Sequence, residues 1–213
     1  MVLLSATAVA DGHKPNHSGE SAFAVAVKAI KDKDYQEGLK RFIALAEAGD
    51  AEAQYNVAVL LRSGRGRPQN YREAYFWSSL SRLGQIEQAE DVADEIESKL
   101  ADGEKEELLE QVRLFLMQRI DDGYLDSIPQ LASFYTELLE EADYEAAYLW
   151  YTLAAALNIE ETLPLRDDAE DELEPDQISA MQAEASQLFD RILAGETLLQ
   201  DGDEDESQSQ MAN

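Results

Sequence analysis

His13 and His17 stand four residues apart, the spacing that puts two imidazoles over one metal ion on a helix face. Pro15 lies between them and no apolar periodicity surrounds them, so the helix this geometry needs is not expected, and we assign no metal site there. These are the only histidines, and cysteine is absent. A Ser-His-Asp or Cys-His set is therefore excluded by position and composition, as are disulfides and Cys-ligated zinc. Carboxylates remain as candidates for acid–base chemistry. With 45 Asp and Glu against 17 Lys and Arg, however, a pair at a catalytic spacing, such as Asp167 and Asp171, arises without meaning. The run EETLPLRDDAEDELEPD (160–176) holds nine acids and one Arg and reads as a solvated charged face. DGDEDE (201–206) begins like a calcium loop, but Glu206 stands where that loop needs Gly and Ala212 where it needs Glu. Loose condensation of divalent cations is expected there, and no specific site.

The positive residues gather in one place. RSGRGRPQNY (62–71) holds Arg62, Arg65 and Arg67, and with Arg72 they form an acid-free window in a chain of formal net charge −28. Gly64 and Gly66 lack the further glycine and the preceding strand of a phosphate-cradling loop. Nucleic-acid binding would need a broader basic face with stacking aromatics, and the overall charge repels phosphate, so nucleic acid is not expected as a partner. As a turn the stretch has a reason at nearly every residue. The glycines admit positive φ, and Pro68 stops the preceding helix. The arginines then have two readings that stay open: solvated turn residues, or residues that form salt bridges and dock a partner.

An acidic surface of this strength keeps a protein soluble and favours a basic partner. No run of about 18 apolar residues exists, so no membrane insertion is expected. The start, MVLLSATAVADG, has a short apolar stretch and Ala8-Val9-Ala10 before Asp11, an Ala-x-Ala pattern like that of an export-signal cleavage site, though without a charged leading segment. It reads as the remnant of an export signal, which implies a periplasmic or secreted protein, or as a disordered apolar leader, which leaves a cytoplasmic one.

The elements that must position any site repeat along the chain. Tyr71, Ala74, Tyr75, Trp77 and Leu80 recur 73 residues later as Tyr144, Ala147, Tyr148, Trp150 and Leu153. The offset continues through Leu100 and Leu173, Leu108 and Met181, Phe115 and Leu188, and Leu116 and Phe189. Residues 50–120 and 123–195 are thus two copies, and a partial copy at 22–49 precedes them, with Asp34-Tyr35-Gln36-Glu37 matching Asn70-Tyr71-Arg72-Glu73. Apolar spacing at 71, 74, 75, 77 and 80 predicts a helix capped by Asn70, with Glu73 placed for a capping box. Asp34 with Glu37 repeats the device, Asp143 caps the second copy, and Gly49 and Gly84 are expected helix stops. The result is an all-α chain of about nine or ten helices in antiparallel pairs, with 1–19 and 201–213 outside the repeat domain at 20–200.

AEAQYNVAVLLRSGRGRPQNYREAYFWSSLSRLG (51–84) resembles the Sel-one-like repeat, a relative of the tetratricopeptide repeat. Ala53, Ala58, Gly64, Gly66, Asn70, Ala74 and Trp77 match its pattern in place. In the second copy Ala132, Asp143, Ala147, Trp150, Ala154 and Ala155 fit, while TELLEEADY (136–144) has lost both loop glycines. The partial copy has Gly38 and Arg41 where the motif has Ala and Trp. Segments 85–120 and 160–195 resemble the extra helix pair that follows such repeats. The resemblance implies a short right-handed α-solenoid, a tetratricopeptide-like superhelix, and a non-catalytic scaffold or adaptor that binds another protein in the bacterial cell envelope. Some relatives are β-lactamase-like, but no lysine here has a serine three residues before it, as a penicillin-recognising serine enzyme requires. No cofactor is expected.

Trp77 and Trp150, each three residues after an alanine, read as core residues that interlock with small neighbours. Tyr75 and Tyr148 point elsewhere around their helices and are the candidates for a surface groove, together with the Arg62–Arg72 loop. The partner segment is expected between the first helices of the pairs, near 53–61 and 127–135. Two other classes stay open: a carboxylate-dependent hydrolase, and a structural subunit that self-associates.

Overall fold

Apolar side chains at helical spacing, punctuated by Gly, Asp and Asn, resolve into ten α-helices and no strand among the residues described by the computed structural model, 21–199. The histidine pair, the apolar leader and the acidic tail lie outside the described residues. The helices are α1 (Ala22–Lys31), α2 (Tyr35–Glu47), α3 (Ala51–Arg62), α4 (Tyr71–Leu83), α5 (Gln88–Glu97), α6 (Glu104–Asp121), α7 (Ser127–Glu137), α8 (Tyr144–Ala156), α9 (Leu163–Glu170) and α10 (Pro175–Ala194), with a 3-10 turn at Glu160–Thr162. Consecutive helices joined by short loops pack on each other from α1 to α5 and again from α6 to α9, and α10 packs on α8.

The capping residues act where the sequence places them. Asp34 accepts the Glu37 N–H at 3.2 Å, Asp50 that of Ala53 at 2.9 Å, Asn70 that of Glu73 at 3.1 Å and Asp143 that of Ala146 at 3.0 Å. Each satisfies a donor that the first helical turn leaves open. The expected capping box at Asn70 closes differently. The Asn70 N–H donates to the Leu61 carbonyl at 3.2 Å, and the Glu73 carboxylate accepts from the Asn70 side-chain amide and pairs with Arg67. Gly66, at φ +92°, is held to glycine twice over: a Cβ there would stand 2.5 Å from the Tyr35 carbonyl oxygen. Gly84 ends α4 at negative φ, and the left-handed residue is the next one, Gln85. Glycine is needed at 84 because a Cβ would meet the Ala51 Cβ at 2.4 Å where α3 and α4 cross.

The 73-residue offset is visible atom by atom. α4 and α8 each have 13 residues and begin at Tyr71 and Tyr144. Gln85 and Asn158, at equivalent positions after them, both take left-handed backbone. Glu104 accepts the Ala101 N–H at 2.7 Å, and its counterpart Gln177 accepts the Glu174 N–H at 2.8 Å. Arg72 on α4 donates to Glu104 on α6 at 2.7 Å, while at the matching positions Gln177 on α10 donates to Glu145 on α8 at 2.6 Å. The same joint is made with the polarity reversed. α7 departs most from the offset, beginning at Ser127 after a left-handed turn at Gly123, and the starts of α9 and α10 are displaced by two residues.

Ala74, Tyr75, Trp77 and Leu80 are buried, and so are Ala147, Tyr148, Trp150 and Leu153. Gly64 turns at φ +65° after α3, and Ala58 and Ala132 are fully buried in the first helix of each copy. The Trp77 ring meets Phe76 and Phe115 edge-on at 5.0 and 6.0 Å, tying α4 to α6. A residue without a counterpart joins the copies. Arg119 on α6 is 6% exposed. Its Nε donates to Ser127 Oγ at 2.9 Å and its Nη1 to the Glu47 carbonyl at 3.0 Å. Asp126 lies at 3.8 Å, and the guanidinium covers the Tyr124 ring at 4.5 Å. One side chain thus holds the end of α2, α6 and the start of α7.

Two substitutions test this core by urea denaturation. Trp77→Ala should cost about 3–5 kcal/mol through the cavity it leaves. Arg119→Met keeps the stem but strips the Glu47 carbonyl and Ser127 of their donor, and should cost about 1–3 kcal/mol.

Candidate functional site

The arginines of the 62–72 loop each have a partner inside the chain. Arg62 on α3 pairs with Glu95 on α5 at 2.5 Å. Arg65 lies over the Tyr35 ring of α2 at 5.4 Å, Arg67 pairs with Glu73, and Arg72 bridges Glu104 and Glu107 of α6 at 2.7 and 2.9 Å. The two hydrogen bonds raise the Arg72 guanidinium further above its ordinary value, and the Ala101 N–H together with Arg72 holds the Glu104 carboxyl low. Three of the four, Arg62, Arg67 and Arg72, form salt bridges, and Arg62 and Arg72 reach from one helix to another.

Tyr75 and Tyr148 are buried rather than displayed on an open face. They are 4% and 2% exposed. α4 is covered by α3, α5, α6 and α7, and α8 by α7, α9 and α10, so a ring pointing away from the Trp face meets another helix, and Tyr75 keeps only an edge on the hollow between α4 and α5. The Tyr148 hydroxyl accepts from Gln182 on α10 at 2.9 Å. The first helices each turn one face into the core. Between 53 and 61, Ala53, Gln54, Val57, Ala58, Leu60 and Leu61 are buried, and Ile128, Leu131, Ala132, Ser133 and Phe134 are buried on α7.

A concave feature lies where α4, α5 and the end of α7 meet. Two hollows open to solvent, of about 230 and 200 Å³, share Arg82 and Glu137 as walls. The larger adds Tyr75 and Ser79 from α4, Asp94 and Glu97 from α5, Lys105 from α6 and Glu140 beyond α7. The smaller adds Glu87 and Glu90. Six carboxylates therefore face two cations. The cations are engaged within the wall, Arg82 with Glu90 at 3.5 Å and Lys105 with Glu97 at 2.8 Å.

Glu137 differs from the other acids. Burial pushes its carboxyl above the ordinary glutamate value, hydrogen bonding from Ser133 and the charge of Arg82 work against the rise, and the charge of Glu90 adds to it. Burial also pushes the Tyr75 hydroxyl up to about 12, and the negative charge of Glu97 contributes. Ser79 Oγ moderates that rise, although it is buried and completes no hydrogen bond of normal geometry. Glu137 carries no motif. It sits in TELLEEADY, where the only signal in the sequence is the loss of the repeat's glycines. Among the described residues no group of three His, Asp or Glu converges as metal ligands, and no helix is long and apolar enough to cross a membrane.

No protein-family model matches the chain, and no curated protein matches it in sequence.

Because the fold raises the Glu137 value, protonation favours the folded state. That contribution is complete below the ordinary value of 4.5 and is lost as pH climbs through the raised one. Glu137→Gln should therefore be at least as stable as the parent at neutral pH, with a lead that shrinks on acidification toward pH 4, as read by urea midpoints across the range. A lead independent of pH would show that the carboxylate is not desolvated.

Proposed function

We propose that this chain is a non-catalytic scaffold, a short right-handed solenoid of the Sel-one-like, tetratricopeptide-like kind, that holds a basic segment of another protein. The observation that carries the reading is the cleft between α4, α5 and the end of α7, with Glu87, Glu90, Asp94, Glu97, Glu137 and Glu140 around two cations. All of these acids except Glu137 are exposed. Exposed carboxylates along α5 and just after α7 suit a long cationic segment, whose approach they speed and whose register they select. The arginine loop then serves as a brace between helices. The Ala8-Val9-Ala10 pattern supports a place in the bacterial cell envelope, periplasmic or secreted.

A second reading, a carboxylate-dependent hydrolase, draws on one observation: Glu137 is a half-buried acid with a raised pKa inside a cleft, as a general acid requires. The exposure of the other wall carboxylates favours the scaffold, since acid–base chemistry gains from water exclusion around both partners.

A fluorescent lysine- and arginine-rich peptide serves as the probe. Charge reversal in the cleft (Asp94→Lys with Glu97→Lys) should weaken binding by about tenfold or more, while an equal reversal on α9 (Asp167→Lys with Asp168→Lys) changes it less than about threefold. Equal losses from both would reduce the binding to overall charge and end the cleft assignment. Recovery of a cleaved peptide, with cleavage abolished in Glu137→Gln, would replace the scaffold by the hydrolase.

A further inference from the structure

The duplication makes α10 the counterpart of α6, and the two can be compared position by position. On α6, Leu109, Leu114 and Met117 are buried; 73 residues on stand Gln182, Gln187 and Asp190, all exposed. The second copy is thus polar where no further helix covers it, as the last repeat of a stack should be. One stripe does not follow. Leu116 at 0% and Ile120 at 3% exposure correspond to Phe189, half-buried, and Leu193, 65% exposed, while the buried Arg119 corresponds to a half-buried Ile192. Phe189, Ile192 and Leu193 lie at helical spacing on one face, the face that α6 turns to α7 and to the end of α2; Phe189 and Ile192 rest partly against the chain's own core, and Leu193 is the open edge of the stripe. The segment after α10 turns back, with the Leu198 and Leu199 N–H groups donating to Asp121 at 2.8 and 3.1 Å, and still leaves Leu193 open.

The opposite end has a complementary deficit. α1, AFAVAVKAIK, is apolar on nearly every side, yet only Ala26 is fully buried and the helix packs chiefly on α2. Phe23, Val27 and Ile30 face the core, which leaves Ala22, Val25 and Ala29 as an outward stripe of small residues. Large side chains on one helix seat on small ones on another. Charge selects the same pairing. Residues 1–105 hold 13 basic and 17 acidic side chains, a net of −4; residues 106–213 hold 4 and 28, a net of −24. Two α10 ends placed together by a two-fold axis would oppose the acidic halves. The α10 end set against α1, where Lys31 and Lys33 are exposed, meets the nearly neutral half.

We propose that copies of this chain associate head to tail, α1 of one copy covering the Phe189–Ile192–Leu193 stripe of the next. Such a contact is heterologous, so each assembly keeps one free end of each kind and assemblies grow with concentration. The proposal is independent of what the acidic cleft binds.

The test is sedimentation velocity of the full chain between about 1 µM and about 1 mM, a span that covers weak self-association. The average mass should climb continuously from the 23.7 kDa of one chain. Leu193→Lys blocks one end and Val25→Glu with Ala29→Glu blocks the other; all three positions are exposed or half-buried, and circular dichroism checks that the variants fold. Each variant alone should stay monomeric, and a one-to-one mixture should give a species of twice the chain mass and nothing larger, because only one competent contact survives. A parent chain that stays monomeric throughout overturns the proposal. So does a mixture that does not pair, or an α1 variant that associates as well as the parent, which would indicate a symmetric contact or a leader folded over α1.

Discussion

A guanidinium out of water is the constraint around which the middle of this protein is arranged. Moving a charge into a helical core costs several kcal/mol unless the surroundings replace its hydration. Arg119 gets that replacement from three elements at once: the Glu47 carbonyl at the end of α2, the Ser127 hydroxyl at the start of α7, and the Tyr124 ring between α6 and α7. The carbonyl is one of those a helix leaves open at its C-terminus, where the helix dipole also favours a cation. Gly49 belongs to the same arrangement. It has φ +93°, and a Cβ there would stand 2.4 Å from Nη2, so the turn after α2 can close over the guanidinium only with glycine. The upstream helices, the first copy and the second copy are registered to one another through this side chain.

The scarcity of cations shapes the rest of the electrostatics. With 45 acids against 17 bases, acids are available on almost every helix face and arginine is the limiting component. Arg62, Arg72 and Arg82 are each spent between elements rather than along one: α3 to α5, α4 to α6, α4 to α5. Individually such half-exposed pairs contribute little. Their effect is on register, since each fixes which turn of one helix faces which turn of its neighbour.

The parts of this architecture that are local were legible in the sequence. Asp34, Asn70 and Asp143 cap helices because an oxygen near the chain bend reaches the N–H three residues on, which needs no knowledge of the fold. The 73-residue offset was legible because the two copies keep the same apolar positions. What could not be read depends on how many neighbours a helix has. Helical periodicity separates the Trp77 face of α4 from the Tyr75 face, but it does not say that α5 covers the second while α6 covers the first. Glu137 was invisible for the same reason. A glutamate in an acid-rich segment becomes distinctive only when Arg82 and the wall of α5 are brought against it. Arg119 looked like one more charge near a helix end, and its role appears only once α2 and α7 converge on it.

The reversed joint between the copies has a consequence for the duplication itself. On the first copy a cation at Arg72 meets Glu104 and Glu107; on the second an anion at Glu145 meets Gln177. Both joints are sound, and they are built from incompatible halves. Glu145 transplanted to position 72 would confront two carboxylates. The halves have therefore ceased to be freely interchangeable modules: α8 cannot take the place of α4 unless the helix it faces is exchanged with it.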